Sequence, residues 1–231
     1  MKIIDAHSHI DYITYNHQKD VVGTICATTI ENQWIKLINL MCQDKNIYGA
    51  FGVHPWFVDS VSSNFIQQLE CLLNANSNYM VGEIGLDKYK PNMDKQIECF
   101  IKQFDLAVKL NRPVFLHCVG AWDKILHVLK QYKTNQLPII VAHSFNAGHD
   151  ILKQLLRYEN IMFSFCNLCM SHKNCCIEQI PIERIVVESD GKENSDLVKC
   201  INDIIKSKHN DNADIIIYNN TQRIIKNEQI A

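Results

Sequence analysis

Eight short apolar runs punctuate the sequence, and they limit its possible folds more than any other feature. They are K-I-I-D-A-H (2–7), V-V-G-T-I-C-A-T (21–28), I-Y-G-A-F-G-V-H (47–54), Y-M-V-G-E-I (79–84), P-V-F-L-H (113–117), P-I-I-V-A-H (138–143), N-I-M-F-S-F (160–165) and R-I-V-V-E-S-D (184–190). Each is rich in β-branched or aromatic residues and mostly continuous rather than alternating. Strands buried on both faces of a parallel sheet carry this pattern. Amphipathic stretches lie between them. The clearest spans 93–111, where Ile97, Phe100, Ile101, Phe104, Ala107 and Val108 share a face and Asn111-Arg112-Pro113 stops the helix. Residues 121–132, 150–158 and 195–206 behave alike. Eight strands in such alternation predict an α/β chain closed into a (β/α)8 TIM barrel. A doubly wound open sheet is the alternative. It would not need eight units, nor a polar residue at the end of nearly every run.

A length of 231 residues suits a single domain, 1–231, built on one barrel. With 47% hydrophobic and 21% charged residues, the chain can bury a sizeable core. A net charge of -2 excludes a protein coated in basic charge for nucleic acid, though not a local basic patch. The 10 cysteines are scattered, and no apolar run at the start is long enough for a signal peptide or membrane span. Reduced thiols in a cytoplasmic, membrane-free monomer are the expectation.

The ends of the runs carry the chemistry. His7 and His9 close the first, His54 the third, Glu83 the fourth, His117 the fifth, His143 the sixth and Asp190 the eighth. In a barrel these positions meet at the C-terminal mouth, where active sites are built. Residues two apart on a strand share a face, so His7 and His9 can aim both imidazoles at one point. Any one of these histidines could be satisfied by a backbone carbonyl, and Glu83 could be a salt-bridge partner. Five histidines and two acids converging from separate runs point instead to a metal site. His17, His127, His149, His172 and His209 sit away from strand ends, and His127, on a helix, reads as a half-exposed surface residue.

These stretches resemble the TatD family of metal-dependent hydrolases, within the amidohydrolase superfamily. The matching motifs are D-A-H-S-H-I-D, G-V-H-P, G-E-I-G-L-D, D-K-Q-I-E-C-F, R-P-V-F-L-H-C, A-H-S-F, V-E-S-D and N-N-T-Q-R-I-I, in order from residue 5 to about 225. The resemblance implies a barrel, two divalent metal ions (Zn, Mg or Mn) and phosphodiester cleavage in DNA or another phosphoester. It implies that His7, His9, Glu83 and Asp190 hold one metal, and that Glu83 bridges to a second, completed by His117 and His143. His54 would lie just outside, touching the substrate phosphate or a bridging water. Asp190, Glu83 and His54 are then the catalytic residues, with Asp190 as general base. Alternatives from the same resemblance are an enzyme cleaving an amide, ester or lactone, or a non-catalytic metal-bound scaffold.

The sequence departs from the family in places that would face substrate. Val119 stands where the family often has an arginine able to clamp a phosphate. The segment H-S-F-N-A-G is one residue longer than its family counterpart, and G-K-E-N after Asp190 lacks the usual proline. Lys88, with Lys90, can place positive charge near the mouth, and Trp56 can stack on a base or sugar. Cys166, Cys169, His172, Cys175 and Cys176 offer ligands for a structural zinc, but chance clustering explains them better in a cysteine-rich chain.

Overall fold

The structure, a computed structural model, describes residues 1–11, 19–166, 176–192 and 196–228. Its strands are β1 (Ile3–His9), β2 (Val21–Ala27), β3 (Ile47–Phe51), β4 (Met80–Asp87), β5 (Val114–Val119), β6 (Ile140–Ala142), β7 (Ile161–Phe165) and β8 (Ile185–Val187). They form one sheet in chain order, each parallel to the next. Among the described residues the α-helices are α1 (Trp34–Gln43), α2 (Phe65–Ala75), α3 (Met93–Leu110), α4 (Trp122–Leu129), α5 (His149–Leu155), α6 (Leu197–Lys208) and α7 (Ala213–Lys226). This is the barrel that the alternation of runs predicts.

The continuous apolar runs follow from two cores. Ala6, Ile25, Ala50, Met80, Phe115, Val141, Met162 and Val186, one from each strand, pack together in an inner cluster. Their neighbours along the strands, such as Ile3, Cys26, Phe51 and Val81, pack outward against Leu37, Leu69, Phe100, Phe104, Ile125 and Leu152 of the helices. Burial on both faces leaves no position for the polar alternation of a half-exposed strand.

The first and last strands are tied at the mouth. Asp190 N–H donates to His7 O at 3.0 Å. Ser189 donates through its N–H to Asp5 Oδ1 at 2.9 Å and through its hydroxyl to Oδ2 at 2.6 Å. Helix α7 packs against both β1 and β8.

Several strand boundaries differ from the apolar runs. β3 ends at Phe51, β6 at Ala142 and β8 at Val187, so His54, His143 and Asp190 stand in the loops just beyond. Ser144 and Asp190, just beyond β6 and β8, adopt φ 44° and 53°, left-handed values outside the extended conformation. β4 and β5 run longer than their apolar runs, through Asp87 and Val119. Gly85 makes their close approach possible: it has φ 148°, and a Cβ there would lie 1.9 Å from His117 O.

Helix α3 holds two of these loops. Gln96 and Gln103 are seven residues apart, hence on one face, and both are buried in the side that reads as apolar. Gln103 accepts from Val53 N–H at 2.7 Å and donates to Val53 O at 3.1 Å, beside His54. Gln96 accepts from Asp87 N–H at 2.8 Å and donates to Asp87 O at 3.1 Å.

Candidate active site

Glu83, on β4 and 2% exposed, is the centre of the mouth. Its two oxygens divide the five histidines. Oε1 lies 2.7 Å from His117 Nδ1, 3.0 Å from His143 Nε2 and 3.3 Å from His54 Nε2. Oε2 lies 3.3 Å from His7 Nε2 and 3.6 Å from His9 Nε2. Asp190 Oδ1 approaches the second group, 3.9 Å from His7 Nε2 and 3.5 Å from His9 Nε2. The floor is apolar: the His7 ring stacks on Phe115 of the inner core, with centroids 5.8 Å apart. All six residues expected to hold metal therefore converge, together with His54.

The hydrogen-bond partners assign the tautomers. His9 Nδ1 faces Ala27 O at 3.3 Å, and a carbonyl only accepts, so Nδ1 carries a proton and Nε2 is the atom turned toward Glu83 and Asp190. His143 Nδ1 faces Glu188 Oε1 at 3.3 Å and so carries a proton, while Nε2 faces Glu83 Oε1 at 3.0 Å and is the atom that would meet a cation once it gives up its own proton. His117 Nε2 lies 3.8 Å from Asp87 Oδ2, while Nδ1 faces Glu83. His54 is the opposite case. Its Nδ1 accepts from Trp56 N–H at 3.2 Å, so Nε2 carries the proton toward Glu83 Oε1. Geometry alone groups His54 with Glu83 and His117 as a candidate cation site. Its tautomer makes it a hydrogen-bond donor instead. The sequence reading sets His54 outside the metal set; the structure places it against Glu83, in the role of donor.

The charges interlock. Burial opposes ionisation of Glu83, but His143 and His54, with hydrogen bonds from His117 and His143, hold its carboxyl well below the usual range. Burial alone would discharge His143, yet Glu83 and Glu188 raise its pKa well above the ordinary value. For His54 burial wins, and its pKa is lowered. Burial disfavours the charge of Asp190, which its hydrogen bond to His9 and nearby His143 and His7 more than offset, lowering its pKa.

The donor set suits a divalent cation. Both ring nitrogens of His7, His117 Nε2 and Glu188 Oε2 are buried and make no hydrogen bond among the described residues. Buried polar atoms rarely lack partners unless something else supplies them. Imidazoles and carboxylates whose ligand atoms lie within 4.8 Å of one another match the mixed N/O coordination of Zn, Mn or related ions.

The structure also places residues that the sequence reading does not weigh. Glu188 accepts from Ser144 N–H at 2.7 Å and from its hydroxyl at 2.6 Å, besides facing His143. Its position two residues before Asp190 was visible in V-E-S-D, but nothing in a sequence tells a buried carboxylate from a strand-interior one. Asp87 accepts from the Trp56 indole at 2.7 Å. Lys192 Nζ lies 2.6 Å from Asp190 Oδ2. Lys88 is exposed in the turn after β4. His127 is exposed, as expected, and so are His149 and His209. Of the cysteine cluster, Cys166 and Cys176 are buried; Cys169, His172 and Cys175, like His17, lie outside the described residues.

Comparison with known proteins agrees with this geometry. The family described as TatD related DNase matches residues 4–225. The chain belongs to the TatD family. One relative, the human 3'-5' RNA nuclease TATDN2, is 30% identical over 218 residues, covering 81% of this chain and 28% of that protein. The 3'-5' ssDNA/RNA exonuclease TatD of Pectobacterium atrosepticum is 29% identical over 152 residues, 62% of this chain and 57% of that enzyme. The chain thus spans under two thirds of either relative's length. The crystal structure of the TatD homologue YjjV from Escherichia coli superposes with a TM-score of 0.80 at 21% identity, covering 97% of this chain and 95% of that one. The TatD barrel is therefore shared. Among the described residues no helix is long and apolar enough to cross a membrane.

Proposed function

We propose that this TatD-family chain is a divalent-metal-dependent phosphodiesterase that cleaves nucleic acid, using two cations on opposite sides of Glu83. The division of the histidines by the two Glu83 oxygens carries this reading. His7, His9 and Asp190 with Oε2 would hold one cation; His117 and His143 with Oε1 would hold the other. When bound, such a pair supplies an acidified water at neutral pH and neutralises the oxygens of a phosphoryl group.

The protein's own groups do the rest. Asp190, the most open carboxylate of the site, accepts the proton lost by the attacking water. His54 would turn its Nε2 proton from Glu83 Oε1 to a phosphoryl oxygen once a cation takes that carboxylate oxygen. Glu188 and Ala27 O hold His143 and His9 in the tautomers that present Nε2. The 3'-5' polarity in the names of the RNA and ssDNA/RNA relatives extends the proposal to removal of nucleotides from a 3′ end.

The test is a 5′-labelled single-stranded oligonucleotide incubated with Mg, Mn or Zn, beside phosphomonoester, carboxylic ester and amide controls. Stepwise shortening from the 3′ end, abolished by EDTA, is expected. Metal-dependent turnover of the amide or carboxylic ester with no phosphoester cleavage would overturn the proposal.

A further inference from the structure

Trp56 combines two properties that rarely occur together: it is 53% exposed, and it is pinned. Its indole N–H donates to Asp87 Oδ2 at 2.7 Å, and its backbone N–H donates to His54 Nδ1 at 3.2 Å. Asp87 is itself fixed. Its other oxygen accepts from Tyr89 N–H at 2.9 Å, and Gln96 clamps its backbone. The same carboxylate lies 3.8 Å from His117 Nε2. An ordered aromatic ring is thus coupled to the reaction centre through His54 and Asp87.

Its surroundings extend the surface. Among the described residues seven large hydrophobic side chains are exposed, and three of them lie at this rim: Trp56 at 53%, Tyr89 at 79% and Val119 at 37%. Asp87 pairs with Val119 across β4 and β5, and Lys88 N–H donates to Val119 O, so the strand ends hold the rim together. Lys90 Nζ sits 4.2 Å from the Trp56 ring centroid, a cation–π contact that marks an electron-rich face. Lys88 is the next exposed cation. A pinned indole with an exposed tyrosine and lysines beside it suits the two parts of a nucleotide, a flat base and a phosphate.

Resting on the phosphodiesterase reading for the scissile phosphate, we propose that this rim is a stacking subsite for a single-stranded nucleic acid. The base nearest the cleaved bond displaces Lys90 from the Trp56 ring and stacks there, the neighbouring base meets Tyr89, and the strand's phosphates pair with the released Lys90 and with Lys88. Bases in a duplex are stacked on each other and have no free face to offer, so the subsite selects single strands. It also assigns the exposed Val119 rim to base contact rather than to a phosphate clamp.

Binding can be read without cleavage. The protein in EDTA is titrated with hexathymidylate and with a sugar-phosphate strand of the same length lacking bases. Trp34 and Trp122 are buried at 6% and 7% exposure, so ligand-induced fluorescence quenching reports on Trp56. Hexathymidylate should quench and bind roughly tenfold to a hundredfold more tightly than the abasic strand. Trp56→Ala, read by anisotropy of a labelled strand, should erase that difference, and Trp56→Phe should keep most of it. Equal binding of the two strands by the unaltered protein would overturn the subsite, as would an undiminished base preference in Trp56→Ala. The strand comparison on the unaltered protein stands even if Trp56→Ala misfolds. Base-dependent binding without metal-dependent cleavage would refute the phosphodiesterase reading and leave the subsite; cleavage without base dependence would do the reverse.

Discussion

The two sides of Glu83 differ in how far the fold closes them. On the Oε1 side, His54, His117 and His143 are all buried, and Glu188 and Asp87 stand behind them. On the Oε2 side, His7 is buried, but the side chains of His9 and Asp190 are 26% and 19% exposed. There Lys192 Nζ, itself half exposed, lies against Asp190 at 2.6 Å. One side is sealed; the other opens to solvent and carries the Lys192 countercharge. Under the two-cation proposal, tight holding of a cation would fall to the closed side, and exchange, water entry and proton transfer to the open side.

Substitutions can break or sharpen this contrast. Glu83→Gln removes the charge that both sides share. Metal content by native mass spectrometry should fall on both sides, and kcat/KM should drop by about 10⁴-fold or more. A variant that kept one ion and most of its rate would show that Glu83 is not the divide. Asp190→Asn should act on one side only. A loss of about two to four orders of magnitude in kcat is expected, with the closed-side cation retained. Loss of both ions would merge the two sides into one.

Smaller effects probe each side's support. Glu188→Gln unsettles the His143 tautomer, and closed-side metal affinity by competition with a chelator should weaken by about 10–100-fold. An equal change on the open side would contradict its assignment. Gln103→Ala leaves the amide N–H and C=O of Val53 unpaired beside His54. Urea unfolding should show a loss of about 1–3 kcal/mol. Lys192→Met should give the smallest change, a few-fold tighter open-side binding by the same competition. An ion pair this exposed is worth about 1 kcal/mol at most.

What the sequence made legible is what has few physical alternatives. Continuous β-branched runs separated by amphipathic stretches leave little besides a parallel barrel, and a barrel sends every strand end to one mouth. Imidazoles and carboxylates at those ends could therefore be grouped without coordinates. The tautomer of His54 could not. It depends on one N–H from Trp56, and that N–H is oriented by the short turn Pro55–Phe57. Gln96 and Gln103 interrupt an apolar face, and only the loops packed on it explain why. Glu188 and Asp87 act through partners far away in sequence, 45 residues for the first and 31 for the second. The left-handed conformations of Ser144 and Asp190, which set how the chain leaves β6 and β8, are not dictated by residue type alone.

The division at Glu83 is tested most directly by crystals grown with manganese and measured for anomalous scattering. Two peaks about 3.5–4 Å apart are expected, one beside His117 and His143 and one beside His7, His9 and Asp190, with Glu83 between them. A single peak, or none within reach of the Glu83 carboxylate, would contradict a two-cation centre.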